Sequence, residues 1–200
     1  MFNRRRLVNR RGFSLIEMLF VVALTGVIAA IAVPMMGNTL GFFRLSGDAR
    51  KVSNALALSK MRAASVFSRV RVYVDWPTRS FHMETWNSAT NQWVAETGGT
   101  FLSQGVTLAF NPVTVAPPNT QGTIAEAQTC RDNAGNPVAN TSCVVFNSRG
   151  VPIDGVTSSP TVDALYLTDS TAVYAVTISA TGMVRTWKTP PNATPSWVLQ

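Results

Sequence analysis

The sequence predicts an α+β protein, with one long N-terminal helix followed by an antiparallel β domain. Three observations predict it. Residues 13–33 are largely apolar, and Glu17 is their only charge. Residues 48–67 carry apolar side chains at helical spacing. From Arg69 onward the period drops to two, and short runs are separated by turn residues.

Residues 1–12 form a basic leader with Arg4, Arg5, Arg6, Arg10 and Arg11 and no acid, ending at Gly12. The apolar run from Phe13 to Val33 is 21 residues long. At 1.5 Å per residue it reaches about 31 Å, the thickness of a bilayer's hydrocarbon core. All five arginines precede it, so the leader is expected to stay in the cytoplasm and the body to be exported. A carboxylate inside a bilayer costs on the order of 3 kcal/mol, so Glu17 needs a partner or a snorkelling position. An ordinary secretory signal has a shorter apolar core with its cleavage site after it, whereas Gly12 comes before. A plain membrane anchor leaves the spacing of Gly12 and Glu17 unexplained.

Residues 34–68 continue the helix. Pro34, between Gly26 and Gly37, is expected to kink it, because proline removes a backbone donor. Val52, Leu56, Ser59, Ala63 and Val66 make a stripe expected to pack on the β domain. Arg50, Lys51, Lys60 and Arg62 lie off the stripe, on a solvated or partner-facing surface, with DNA contact as the minor alternative.

The β domain is expected over residues 69–188. Candidate strands are residues 69–75, 80–86, 92–96, 106–110, 143–146, 164–168, 172–179 and 183–188, the first group forming a meander with one wet face. Residues 111–141 hold Pro112, Pro117 and Pro118, which exclude a central strand, and read as a long surface loop with one short strand near Ile124. Gly182 supplies a turn between the last two strands. Residues 189–200, with Pro190, Pro191 and Pro195, read as a flexible tail.

The formal charge of +7 falls to +2 once the five leader arginines are set aside, which removes a global argument for nucleic-acid binding. Cys130 and Cys143 are the only cysteines, and an exported body makes a disulfide the natural pairing. His82 is the only histidine, so a two-cysteine metal site lacks ligands and no metal or cofactor is expected. No phosphate-binding loop, zinc-hydrolase motif or Cys-x-x-Cys pair occurs, so the reading is non-enzymatic.

Arg10-Arg11-Gly12-Phe13-Ser14-Leu15-Ile16-Glu17, the apolar helix and Pro34 together resemble the class III signal of type IV pilins and type II secretion pseudopilins. The resemblance implies cleavage by a prepilin peptidase between Gly12 and Phe13, and N-methylation of Phe13. It implies that Glu17 meets the N-terminal amine of a neighbouring subunit during assembly, and that Pro34 bends the helix. It also implies a type IV pilin-like fold. The partners would be the peptidase, other pilin or pseudopilin subunits and an inner-membrane assembly platform. The protein would pass once through the inner membrane, N-terminus cytoplasmic, body periplasmic.

The turn from Phe146 to Gly150 and the hairpin Ile178-Ser179-Ala180-Thr181-Gly182-Met183-Val184-Arg185 look like the GspH/FimT group of minor pseudopilins and minor pilins. FimT-like pilins implicated in DNA binding carry Gly-Arg-x-Arg, where this chain has Gly182-Met183-Val184-Arg185. Arg185, Lys188 and Arg149, with Trp187 nearby, are therefore the candidate DNA contacts, and an ordinary exposed strand is the alternative. The expected function is that of a FimT-like minor pilin that joins or primes a filament and contributes to DNA uptake. The alternative is a GspH-like minor pseudopilin of type II secretion.

Overall fold

The computed structural model describes residues 14–96 and 98–200, without the side chains of residues 33–39. The chain divides into two units, Met1–Leu40 and Gly41–Gln200. Helix α1 (Leu15–Val66) runs from one into the other, and its range includes Pro34.

In the second unit α1 meets two antiparallel sheets. The first contains β1 (Val70–Asp75), β2 (Ser80–Asn87), β3 (Gln92–Ala95), β4 (Thr100–Phe101), β6 (Thr141–Phe146) and β7 (Pro152–Ile153). Its order is β3-β2-β1-β6-β7, with β4 also on β2. The second contains β5 (Thr107–Leu108), β8 (Asp163–Thr168), β9 (Val173–Ile178), β10 (Val184–Thr189) and β11 (Val198–Leu199), in the order β11-β10-β9-β8-β5.

The stripe on α1 packs as its spacing predicts and begins earlier. Leu45, Ala49, Val52, Leu56 and Ala63 share one core with Val70, Val72, Val74 and Phe146 of the first sheet. Leu165, Leu167, Val176 and Ile178 of the second sheet join it. Burying one such leucine stabilises the fold by about 1.5–3 kcal/mol. Asp48 is buried on the same side. It accepts hydrogen bonds from Ser103 N (2.6 Å), Ser103 Oγ (3.1 Å) and Lys51 Nζ (2.8 Å), which tie the helix to the chain after β4.

The single wet face expected of the first sheet is a correction. Every residue of β6 is buried, and Arg71, expected to point into water, is 5 % exposed. The cover is the segment between β5 and β6. Cys130 and Cys143 form a disulfide that packs with Val145 and Ile153 on the outer side of the first sheet. Val113 and Ile124 pack with Tyr166, Ala175 and Trp187 on the outer side of the second. Between these contacts, Ala127 N donates to Ala164 O in β8 (2.7 Å) and Gln128 O accepts from Cys143 N in β6 (2.7 Å). The long loop thus covers both sheets and hydrogen-bonds them together. It carries no strand at Ile124, because its backbone groups go to turns and to the edges it bridges.

A second correction concerns residues 189–200. Thr189 ends β10, and Val198 and Leu199 pair with Lys188 and Trp187 as β11. The prolines stay out of the sheet, as their missing donors require, and they turn the chain back along it. The short strands β4, β7 and β11 were not anticipated, since two-residue pairings leave no periodic trace.

Candidate functional site

Gly12 and Phe13 lie outside the described residues. Glu17 stands in the first turn of α1 and is exposed. After Ser14, the 18-residue stretch Leu15–Ala32 is long and apolar enough to cross a membrane, and none of it is buried within the protein. Leu15, Ile16, Leu19, Val22 and Ile31 are all at least 60 % exposed. So much unpartnered apolar surface is stable only in lipid or against other apolar helices.

Two of the three candidate DNA contacts, Arg185 and Lys188, do not share a face. Arg185 and Lys188 are three positions apart on β10, so strand alternation sends them to opposite sides. Lys188 lies half-buried, its ammonium 4.3 Å from the ring centre of Phe42. Arg185 is exposed on the other side. Trp187 is buried and donates Nε1–H to Thr177 Oγ1 at 3.1 Å, so it offers no free face for a base. Arg149 is exposed in the turn after β6.

The two glycine turns that carry the GspH/FimT resemblance do meet. Gly150 and Gly182 both have positive φ, +73° and +78°. Lys60 Nζ donates to Gly182 O at 2.9 Å. A Cβ on Gly182 would stand 2.8 Å from Gly150 O and 3.1 Å from Lys60 Nζ. Both turns therefore need glycine for backbone angle and for space, and together they lock the ends of both sheets onto α1. Lys60, read from sequence as a solvated charge, is the pin.

A cluster on the first sheet was missed because its parts are distant in sequence. Trp86 and Trp93 face each other across β2 and β3, with ring centres 5.2 Å apart. The Arg69 guanidinium lies 4.8 Å from the Trp86 ring centre, and that of Arg71 lies 4.1 Å from Trp93. Arg71 is paired with Glu84 and donates to Arg131 O. Burial pushes the Arg71 guanidinium below its ordinary range, and the Glu84 charge opposes that shift. Arg69 has no carboxylate within 4.0 Å among the described residues.

Two carboxyls with buried oxygens lie at the bridging segment 126–128, Glu126 within it and Asp163 beside it. Burial raises Glu126 to about 8, opposed by a hydrogen bond from Tyr166 N (3.2 Å). Burial and the charge of Asp154 raise Asp163 to about 7, opposed by a backbone hydrogen bond from Gln128. Each has one buried oxygen without a hydrogen-bond partner, Glu126 Oε1 and Asp163 Oδ2.

Residues 7–33 match the family model of the prokaryotic N-terminal methylation motif. The N-terminal end is thus pilin-like, carrying the signal that its residues resemble. Two solved structures of the minor pseudopilin EpsH from the type II secretion system of Vibrio cholerae are similar to this chain. One is 16 % identical, with a TM-score of 0.45, covering 72 % of this chain and 95 % of that one. The other is 13 % identical, with a TM-score of 0.43, covering 72 % and 94 %. At TM-scores under 0.5 neither likeness decides anything about this chain. Comparison with curated proteins finds no match.

Proposed function

We propose that the protein is a minor pilin-like filament subunit. A prepilin peptidase removes residues 1–12 and methylates Phe13. The apolar segment holds the subunit in the inner membrane until assembly, with residues 41–200 on the periplasmic side. Glu17 then takes the N-terminal amine of a neighbouring subunit, and Pro34 supplies a bend. The protein acts by assembly and binding, not catalysis, together with other subunits and a membrane platform. The observation that carries this reading is the methylation motif over residues 7–33, set directly on an exposed apolar helix.

Of the two machines left open by the sequence, we favour the secretion pseudopilus over the DNA-uptake pilus. The DNA-uptake reading rests on a basic-aromatic patch at Arg185, Lys188 and Arg149. Arg185 and Lys188 lie on opposite faces of β10, and Trp187 is buried.

Mass spectrometry of the protein from its native cells tests the processing. A mature N-terminus at N-methyl-Phe13, with residues 1–12 retained in a peptidase-deleted strain, is the expected result. Any other N-terminus overturns it. Glu17→Ala is expected to leave processing intact and to deplete the subunit from filaments. Unchanged incorporation removes Glu17 from assembly. Recovery in filaments sheared from the cell surface would assign the subunit to a pilus instead.

A further inference from the structure

A cleft of about 720 Å³ opens at the C-terminal end of α1, lined by Phe67, Arg69, Trp86, Val94 and Glu96. Two independent features mark it. Phe67 is 83 % exposed and holds a φ of +52°, in the left-handed region that a bulky side chain rarely adopts. Glycine or asparagine usually ends a helix there. The backbone thus presents a phenyl ring to solvent at a conformational cost, the kind of outlier that points to use. Arg69 is half-buried against the Trp86 ring, and no carboxylate lies within 4.0 Å of it among the described residues, so its guanidinium is free to take an oxyanion. The other charge in the cleft, Glu96, is already held by Arg62 at 2.8 Å and by Thr85. The unmet charge in the cleft is therefore positive.

We propose that this cleft docks an extended segment of another protein, one that places an aspartate or glutamate on Arg69 and an adjacent apolar side chain against Phe67 and Val94. Aromatic and arginine anchors in one cleft are the usual composition of a binding hot spot. A second copy of this chain is a poorer source of the acid, because the side-chain carboxylates of residues 41–200 lie in ion pairs, in hydrogen bonds of their own turns or in the interior. Asp48, Glu84 and Glu96 lie in ion pairs. Asp75, Asp132, Asp154 and Asp169 accept hydrogen bonds within their own turns. Glu126 and Asp163 are buried. The cleft belongs wholly to the second unit, so it stands whether or not the leader is cleaved.

The test is photocrosslinking in the native cells, with p-benzoylphenylalanine in place of Phe67 and, as control, in place of the exposed Val156. The expected result is an adduct from position 67 alone, mapped to a segment of a different protein with an acid within two residues. Arg69→Glu reduces it about tenfold, and changing the partner's acid to lysine restores it. A synthetic peptide of that segment should bind full-length protein in detergent, read by tryptophan fluorescence. Phe67→Gly, which relieves the backbone and keeps the fold, should weaken that binding about tenfold. No adduct above the control, an adduct to a second copy, to lipid or to nucleic acid, or one indifferent to Arg69→Glu overturns the proposal. The N-terminal mass of the same sample separates this outcome from a failure of processing.

Discussion

The two ends of α1 are built on opposite rules. From Leu15 to Ala32 the apolar side chains point in every direction and none is buried. From Leu45 to Ala63 one apolar stripe is buried, and it is sealed by residues that follow up to 133 positions later, such as Ile178 in β9. The first stretch needs only composition to choose its surroundings. The second needs partners that the chain brings back to it. The difference separates what a local substitution does in each part.

The largest expected contrast pairs Leu56→Ala with Leu24→Arg. Leu56 is fully buried, so its truncation should cost about 2–5 kcal/mol, measured as the shift in denaturation of full-length protein in detergent. Leu24→Arg should leave that transition unmoved while adding about 3 kcal/mol to membrane insertion, read as release from membranes on carbonate extraction. A lowered transition for Leu24→Arg would break the comparison.

Next comes the disulfide. Cys130→Ser with Cys143→Ser opens a loop of sequence separation 13, worth about 3 kcal/mol in the chain-entropy model. The loss should appear equally when the wild type is melted under reducing conditions.

Gly182→Ala puts a Cβ against Gly150 O at a positive φ, and should cost about 1–3 kcal/mol. Lys60→Met keeps the stem and loses the hydrogen bond to Gly182 O, so a smaller loss of about 1 kcal/mol is expected. If both variants melted like the wild type, the meeting of helix and glycine turns would be incidental.

The pH dependence sharpens the comparison further. Glu126 and Asp163 are raised in the folded state, so the fold binds protons that the unfolded chain releases. Their contribution is complete below the ordinary carboxylate range and is lost as pH rises through about 7 for Asp163 and about 8 for Glu126. Melting at pH 5 should therefore exceed melting at pH 8, and Glu126→Gln should flatten the slope. The smallest effect is Phe67→Gly, expected to stabilise the domain by about 1 kcal/mol through relief of its backbone.

Much of the fold was legible before any coordinates. The step from helical to two-residue period at Arg69 marks the end of α1 within a few residues, and the stripe through Val52, Leu56 and Ala63 is the buried face. The longer strands leave alternation that a reader can count. The covered outer faces left none. Arg71 reads as a wet-face residue because a strand's sequence does not record what will lie on it. The register of β1 on β2 sets it opposite Glu84, and only the docking of the segment around Cys130 buries that pair. The Trp86–Arg69–Trp93 cluster was hidden for the same reason, since its members come from three elements.

The sequence by itself determined the N-terminal signal, the apolar segment and the helix-then-sheet order, because each depends on residues adjacent in the chain. Only the tertiary structure decided that the long loop joins the two sheets, that residues 198–199 return to β10, and that Gly150, Gly182 and Lys60 form one junction. Those outcomes depend on which distant backbone groups satisfy one another's hydrogen bonds, and no local pattern carries that information.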